Sequence, residues 1–285
     1  MIGYCNIDIY LAKELSNNFH TIMFGKSPKD FPKLGGLVID WVKKGDENFL
    51  VQAAIVEHYS REGIPIVIFD RYMSMTGQEY SWLKKFNTHF FEPALNYRDG
   101  FEYLPQWMPI NNGIKIEEKQ YNFDIGYIGS LENKVKQFEK YYRDYIRIYT
   151  NRKIFFYTEN KIPIEKMEDW KREGLFNSID IKYDFNFTIL IESNKNIEIG
   201  YIRNDLYYLL KNNILPLLPR EHKYFNCLFG KLCIENLKDI EYLATSFKDP
   251  GIRSAVIDDI FNDIRMFYPE FTLEYAFDKI RRRLI

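Results

Sequence analysis

Residues 187 to 225, FTILIESNKNIEIGYIRNDLYYLLKNNILPLLPREHKYF, decide how the chain is read. Phe187 to Ile191 is a nearly unbroken apolar run, as expected of a strand covered on both faces of a parallel sheet. Its polar exit, Glu192-Ser193-Asn194, then falls at the carboxyl edge of that sheet, where open α/β sheets bind ligands. A helix is predicted from about Tyr201 to Asn212, because Ile202, Leu206, Leu209 and Leu210 share one side at helical spacing. Asn212-Asn213 closes it, asparagine tolerating the left-handed C-terminal conformation. Ile214 to Leu218 is a second apolar strand. Pro216 lacks a ladder donor, so that strand lies at an edge or loses pairing locally.

This stretch resembles the donor-binding signature of the α-1,3-fucosyltransferases, roughly F-x-L-x-F-E-N-S, a short loop, then Y-[VI]-T-E-K-L-Y-N-A-L-L-A-G-x-V-P-V-V. Phe187 to Asn194 supply FTILIESN, which sets Glu192 on the family's first glutamate; Tyr201 to Leu218 supply YIRNDLYYLLKNNILPLL without a gap. Arg203-Asn204-Asp205 stand where the family has T-E-K, and Asn213 where it has glycine. The resemblance implies an α/β fold of two Rossmann-like domains facing a cleft, the GT-B arrangement. It also implies a nucleotide-sugar donor on the C-terminal side, an acceptor mainly on the N-terminal side, and transfer without a metal ion. A GDP-sugar is the first donor implied; the altered triplet keeps a UDP-sugar open.

Composition sets the frame around that stretch. The chain has 285 residues, a formal charge of -1 and a hydrophobic share of 46%, which fits a folded chain of two moderate domains. Near-neutrality demands neither a nucleic-acid nor a membrane surface as partner. Cys5, Cys227 and Cys233 lack metal-ligand spacing and read as reduced thiols. No signal peptide or membrane span is evident, so a cytoplasmic protein is expected.

An N-terminal domain is predicted over 1–110. Ile2 to Ile9, Leu37 to Ile39, Ile64 to Phe69, Thr88 to Phe91 and Phe101 to Pro105 read as strands or extended pieces. Leu11 to Asn18, Glu47 to Arg61 and Gln78 to Phe86 read as helices. The polar segment 111–121 reads as a linker, and 122–285 as the donor domain with the C-terminal helices. In that second half Phe123 to Ile128 is a strand running into Gly129-Ser130. A helix is predicted from Leu131, with Val135, Phe138, Tyr142, Tyr145 and Ile146 on one face. Lys153 to Tyr157 and Ile179 to Ile181 read as strands, and Glu165 to Glu173, Asp249-Pro250 onwards and Thr272 to Arg283 as helices.

The chemistry of transfer selects the candidate residues. A departing nucleoside diphosphate needs cations or backbone N–H groups, and Arg203 and the turn Gly129-Ser130 are candidates. That turn reads equally as a simple bend with Ser130 capping the next helix. Recognition of the donor falls to Glu192 first, with Asn194, Tyr201, Tyr157, Glu159 and Asp205 beside it. An inverting transfer needs a base for the acceptor hydroxyl. Asp40 and Asp70 both end apolar strands of the first half, and the sequence does not choose between them. No H-E-x-x-H, C-x-x-C, Walker or G-x-S-x-G pattern occurs.

The acceptor is a glycan or a hydroxymethylated base of phage DNA, the latter disfavoured by the lack of basic charge. No cofactor beyond the nucleotide-sugar co-substrate is expected. The rival reading is a nucleotide- or partner-binding protein with a degenerate transferase fold and no turnover.

Overall fold

The computed structural model describes residues 2–5, 21–23, 33–42, 44–46, 48–95, 98–105, 108, 110, 116, 118–149, 151–152, 154–158, 169, 175–177, 183–201, 205–222 and 226–284. They form two compact units, one of Met1–Pro109 with Pro269–Ile285, the other of Ile110–Tyr268.

The first unit is a six-stranded parallel sheet. Its strands are β1 (Ile2–Cys5), β2 (Thr21–Met23), β3 (Gly36–Asp40), β4 (Ile66–Phe69), β5 (Thr88–Glu92) and β6 (Phe101–Tyr103), in the order β2-β1-β3-β4-β5-β6. Strand side chains alternate faces, so β3 sends Leu37 and Ile39 one way and Val38 the other. Leu37 and Ile39 pack with Ile55, Val56 and Tyr59 of the Phe49–Arg61 helix and Leu83 of the Gly77–Leu83 helix. Val38, Val67, Phe69 and Phe91 pack with Leu273, Ala276, Ile280 and Leu284 of the helix Leu273–Leu284.

The terminal helix therefore belongs to the first unit, which corrects the assignment of all of 122–285 to the donor domain. Its stripe at positions 273, 276, 280 and 284 needs an apolar sheet face, and sequence pattern does not say which of two such sheets supplies it. A fully buried aliphatic side chain contributes about 1.5–3 kcal/mol, so this helix is integral to the unit.

The second unit repeats the plan. Strands β7 (Phe123–Ile128), β8 (Ile154–Tyr157), β9 (Leu175–Asn177), β10 (Phe185–Ile189), β11 (Leu215–Pro219) and β12 (Cys233–Ile234) are ordered β12-β11-β10-β7-β8-β9, all parallel. After β7 a helix runs through Val135–Phe138, a π-helical Glu139–Arg143 and Asp144–Ile148. Within the π stretch Tyr142 is buried, and its hydroxyl accepts the Ile189 N–H at 2.8 Å.

Two short helices follow β10: Asn194–Glu198, which was not expected, and Leu206–Lys211, which lies within the helix expected over Tyr201–Asn212, residues 202–204 being outside the described ones. Gly200, at φ 67°, ends the first. Asn213, at φ 60°, ends the second as expected, with Ile214 N–H donating to the Leu209 carbonyl and Asn213 N–H to that of Leu210. Pro216 sits inside the sheet without losing a bond. The Leu217 carbonyl accepts from Leu190 on the β10 side, so the nitrogen of Pro216 faces the β12 flank, and β12 pairs only from Leu218 onward.

Behind this sheet Arg253 is wholly buried, and its guanidinium donates to the carbonyls of Asn213, Phe247, Lys248 and Lys119. The predicted helix 11–18, most of the helix 165–173 and the strand 179–181 lie outside the described residues.

Candidate functional site

Chain order reverses in the second sheet between β7 and β10: β7 continues to β8 on one flank, while β10 pairs with the other. In open parallel sheets the crevice at such a reversal, outside the carboxyl ends, is where ligands bind. A cleft of about 530 Å³ opens there, lined by Asn133, Val135, Lys136, Gln137, Ser193, Asn194 and Lys195. Its size suits a small organic ligand, about 300–1,000 Å³, and among the described residues no carboxylate lines it.

The segment after β7 builds one wall. Gly129 has φ 144°, open to glycine, and its N–H donates to the Tyr157 carbonyl at 3.2 Å. The Tyr127 hydroxyl donates to the Ser130 carbonyl at 2.5 Å, and Ser130 Oγ accepts the Glu132 N–H at 3.1 Å. The helix starts only at Val135, with Lys134 in the capping position, so Ser130 does not cap it. Val135, expected on the buried face, is exposed at the cleft. The N–H groups of the first helical turn have no intrahelical acceptor; that end carries partial positive charge and favours anions. Gly126 has another reason to be glycine. A Cβ there would lie 2.0 Å from the Phe185 ring.

Glu192, at the exit of β10, is 2% exposed. Its Oε2 accepts from Lys134 Nζ at 2.8 Å and from Asn196 Nδ2 at 2.9 Å, while its N–H donates to Gln137 Oε1 at 3.1 Å. Glu192 therefore joins both walls of the cleft. His222, past the exit of β11, is 3% exposed. Burial lowers its pKa, Lys134 adding to that effect and Glu192, Glu221 and the Leu190 backbone opposing it.

The other expected donor residues scatter. Asn194 lines the cleft. Tyr201 is half-buried, with its N–H on the Asn196 carbonyl. Tyr157 meets the turn through its carbonyl. Asp205 accepts from the Tyr183 hydroxyl at 3.4 Å, and Tyr183 precedes the start of β10, so it is not brought to Glu192. Glu159 and Arg203 lie outside the described residues.

In the first unit the order reverses between β1 and β3, and Asp40 ends β3 at that point. Arg71 Nε lies 3.0 Å from Asp40 Oδ2. Two residues on, the Gln52 side chain brackets the backbone of Val42, accepting its N–H at 3.1 Å and donating to its carbonyl at 2.6 Å. Cys5, paired with Ile39 across β1 and β3, has its thiol pKa pushed up to about 11 by burial and by Asp40.

Asp70 stands one strand further out and is wholly buried. It accepts the N–H groups of Ser74 and Met75, each at 2.8 Å, and pairs with Arg98 at 2.8 Å. Arg98 also holds Glu92, Nε to Oε2 at 2.6 Å. Burial raises the pKa of Glu92, against the lowering influence of Arg98.

Solved structures share this architecture. The chain is similar to T4 phage BGT in complex with UDP and Mn2+, with TM-score 0.56 and 13% identity over 85% of this chain and 82% of that one. It is also similar to a Thermobaculum terrenum O-GlcNAc transferase mutant, with TM-score 0.52 and 8% identity over 99% and 67%. The chain has the GT-B fold. No family model matches it, and no curated protein does.

Within this GT-B chain, sequence reasoning missed Lys134, Gln137, Asn196 and His222 around Glu192, and Glu92 and Arg98 around Asp70. Glu92 was the easiest to find, since Asp40, Asp70 and Glu92 close three consecutive apolar strands. Lys134 and His222 carry no local signal, because they meet Glu192 only through the order of the sheet. Among the described residues, no group of three His, Cys, Asp or Glu is placed to hold a metal ion, and no helix is long and apolar enough to cross a membrane.

Proposed function

We propose that the protein transfers a sugar from a nucleotide-sugar donor to a hydroxyl acceptor. The cleft at the β7/β10 reversal supports this reading most directly. Lys136, Lys195 and the start of the Val135 helix line or border it, and these groups suit a diphosphate that gains charge as the sugar departs. Glu192 Oε1 makes no hydrogen bond to a described residue and suits a ribose hydroxyl as acceptor. Asp40, at the corresponding reversal of the first sheet, is the proposed base for the incoming hydroxyl.

The donor proposed is a UDP-sugar, because the T4 phage neighbour holds UDP. The fucosyltransferase-like stretch keeps a GDP-sugar as the alternative. Transfer without a metal stays part of the proposal, and the Mn2+ in that neighbour makes it a point to test. The acceptor is proposed to be a glycan, with hydroxymethylated DNA as the alternative.

Melting curves with UDP, GDP and their sugar conjugates, each with Mn2+ and with EDTA, test the donor, since a ligand of the native state must raise Tm. A shift with UDP-sugars that persists in EDTA, followed by acceptor-dependent release of UDP, is the expected result. A shift without turnover on any acceptor would favour the non-catalytic reading. No shift with any nucleotide would end the transferase reading and leave a partner-binding protein with the same fold.

A further inference from the structure

Tyr72 is 64% exposed on the loop that leaves β4. It lies three residues past Phe69, the register partner of Asp40, and next to Arg71, whose guanidinium holds Asp40. The loop around it is over-determined. Asp70 accepts the N–H groups of Ser74 and Met75, the Met73 N–H donates to the Asp70 carbonyl, and Arg98 ties Asp70 to the Met75 carbonyl and to Glu92. Thr76 and Glu79 then close a capping box on the next helix.

Inside this frame Met73 is held at φ 51°, a left-handed conformation that side chains other than Gly, Asn and Asp rarely adopt. Strain of this kind persists only where surrounding contacts enforce it, and it gathers at ligand sites. Met73 stands next to Tyr72, whose large aromatic side chain is exposed on the loop at the carboxyl edge of a parallel sheet.

We propose that Tyr72 is the acceptor platform, stacking under the apolar face of a pyranose ring in a saccharide whose hydroxyl is presented to Asp40. The proposal rests on the transferase reading. A saccharide is favoured over a polynucleotide because the ionised groups described at this edge, Asp40, Asp70 and Glu92 with Arg71 and Arg98, carry no excess of positive charge for phosphates. Tyr72 is exposed, so its replacement leaves the fold intact.

Saturation-transfer NMR on the full chain tests it, with methyl glycosides of glucose, galactose and N-acetylglucosamine as probes and a hydroxymethylcytosine duplex as the other arm. The wild type is expected to saturate ring protons of at least one glycoside. Tyr72→Ala should weaken that binding more than tenfold, and Tyr72→Trp should retain it. Equal binding in Tyr72→Ala, no glycoside bound by the wild type, or a Tyr72-dependent loss confined to the duplex would each overturn the proposal. Melting with UDP and GDP, run alongside, separates the two readings: no nucleotide shift with Tyr72-dependent glycoside binding would sink the donor reading and leave the platform standing.

Discussion

Lys134 Nζ lies 2.8 Å from Glu192 Oε2, tying the turn after β7 to the exit of β10 across the reversal of the sheet. Both side chains are largely withdrawn from water, so each charge depends on the other. Lys134→Met is expected to lower stability by about 3–5 kcal/mol by stranding the carboxylate. The double variant Lys134→Met/Glu192→Leu should recover much of that loss in urea unfolding. It should not recover the melting shift given by a nucleotide. Recovery of both would mean the pair is purely structural.

Asp40 and Asp70 end neighbouring strands but are engaged differently. Asp70→Asn removes a wholly buried carboxylate that holds Arg98 and two loop amides, and should destabilise the first unit by about 3–5 kcal/mol. Asp40→Asn loosens a buried pair with Arg71 and should also lower stability, but, assayed well below its Tm, it should lose about 10²–10⁴-fold in the rate of transfer. Transfer by Asp40→Asn at the wild-type rate would remove it as the base.

His222 is buried with a lowered pKa, so the folded state resists a proton that the unfolded chain accepts. Below the ordinary histidine pKa, about 6.5, unfolding therefore takes up a proton, and stability falls as pH falls toward the folded-state value. The limiting slope is about 1.4 kcal/mol per pH unit. His222→Gln should flatten this part of the curve in urea titrations between pH 7 and 5. An unchanged slope would show that the ring is protonated in the fold.

Gly126 lies in β7 beneath the Phe185 ring, which leaves no room for a Cβ. Gly126→Ala should cost about 1–3 kcal/mol by overpacking. Phe185→Leu in the same chain should return part of it. If Gly126→Ala is neutral in chemical denaturation, the Phe185 ring moves aside without cost and the glycine is not required for packing.

The strands were legible because a parallel strand buried on both faces is written as an apolar run, and runs such as Ile66–Phe69 and Leu215–Pro219 have few other readings. Glu192, Asp40 and Asp70 were found for the same reason: the first polar residue after such a run lies at the carboxyl edge. Periodicity placed a helix over Tyr201–Asn212, within which Leu206–Lys211 is helical, and missed the short Asn194–Glu198 helix that Ser193 caps and Gly200 ends. The turn reading of Gly129-Ser130 did not extend to Gly126, whose task, packing against Phe185, only the neighbouring strand reveals.

The amino-acid sequence by itself determined the alternation of strand and helix, the two α/β halves and the carboxylates that close the strands, because each is written in local periodicity and in the residue that ends it. Tertiary structure alone decided the order of the strands, hence where chain direction reverses and which exits become neighbours. Only that order brings Lys134 to Glu192, sets Asp40 rather than Asp70 at the crevice, and returns the helix Leu273–Leu284 to the first sheet. Pairing between distant strands is chosen by the packing of whole faces, and no short stretch of residues carries that information.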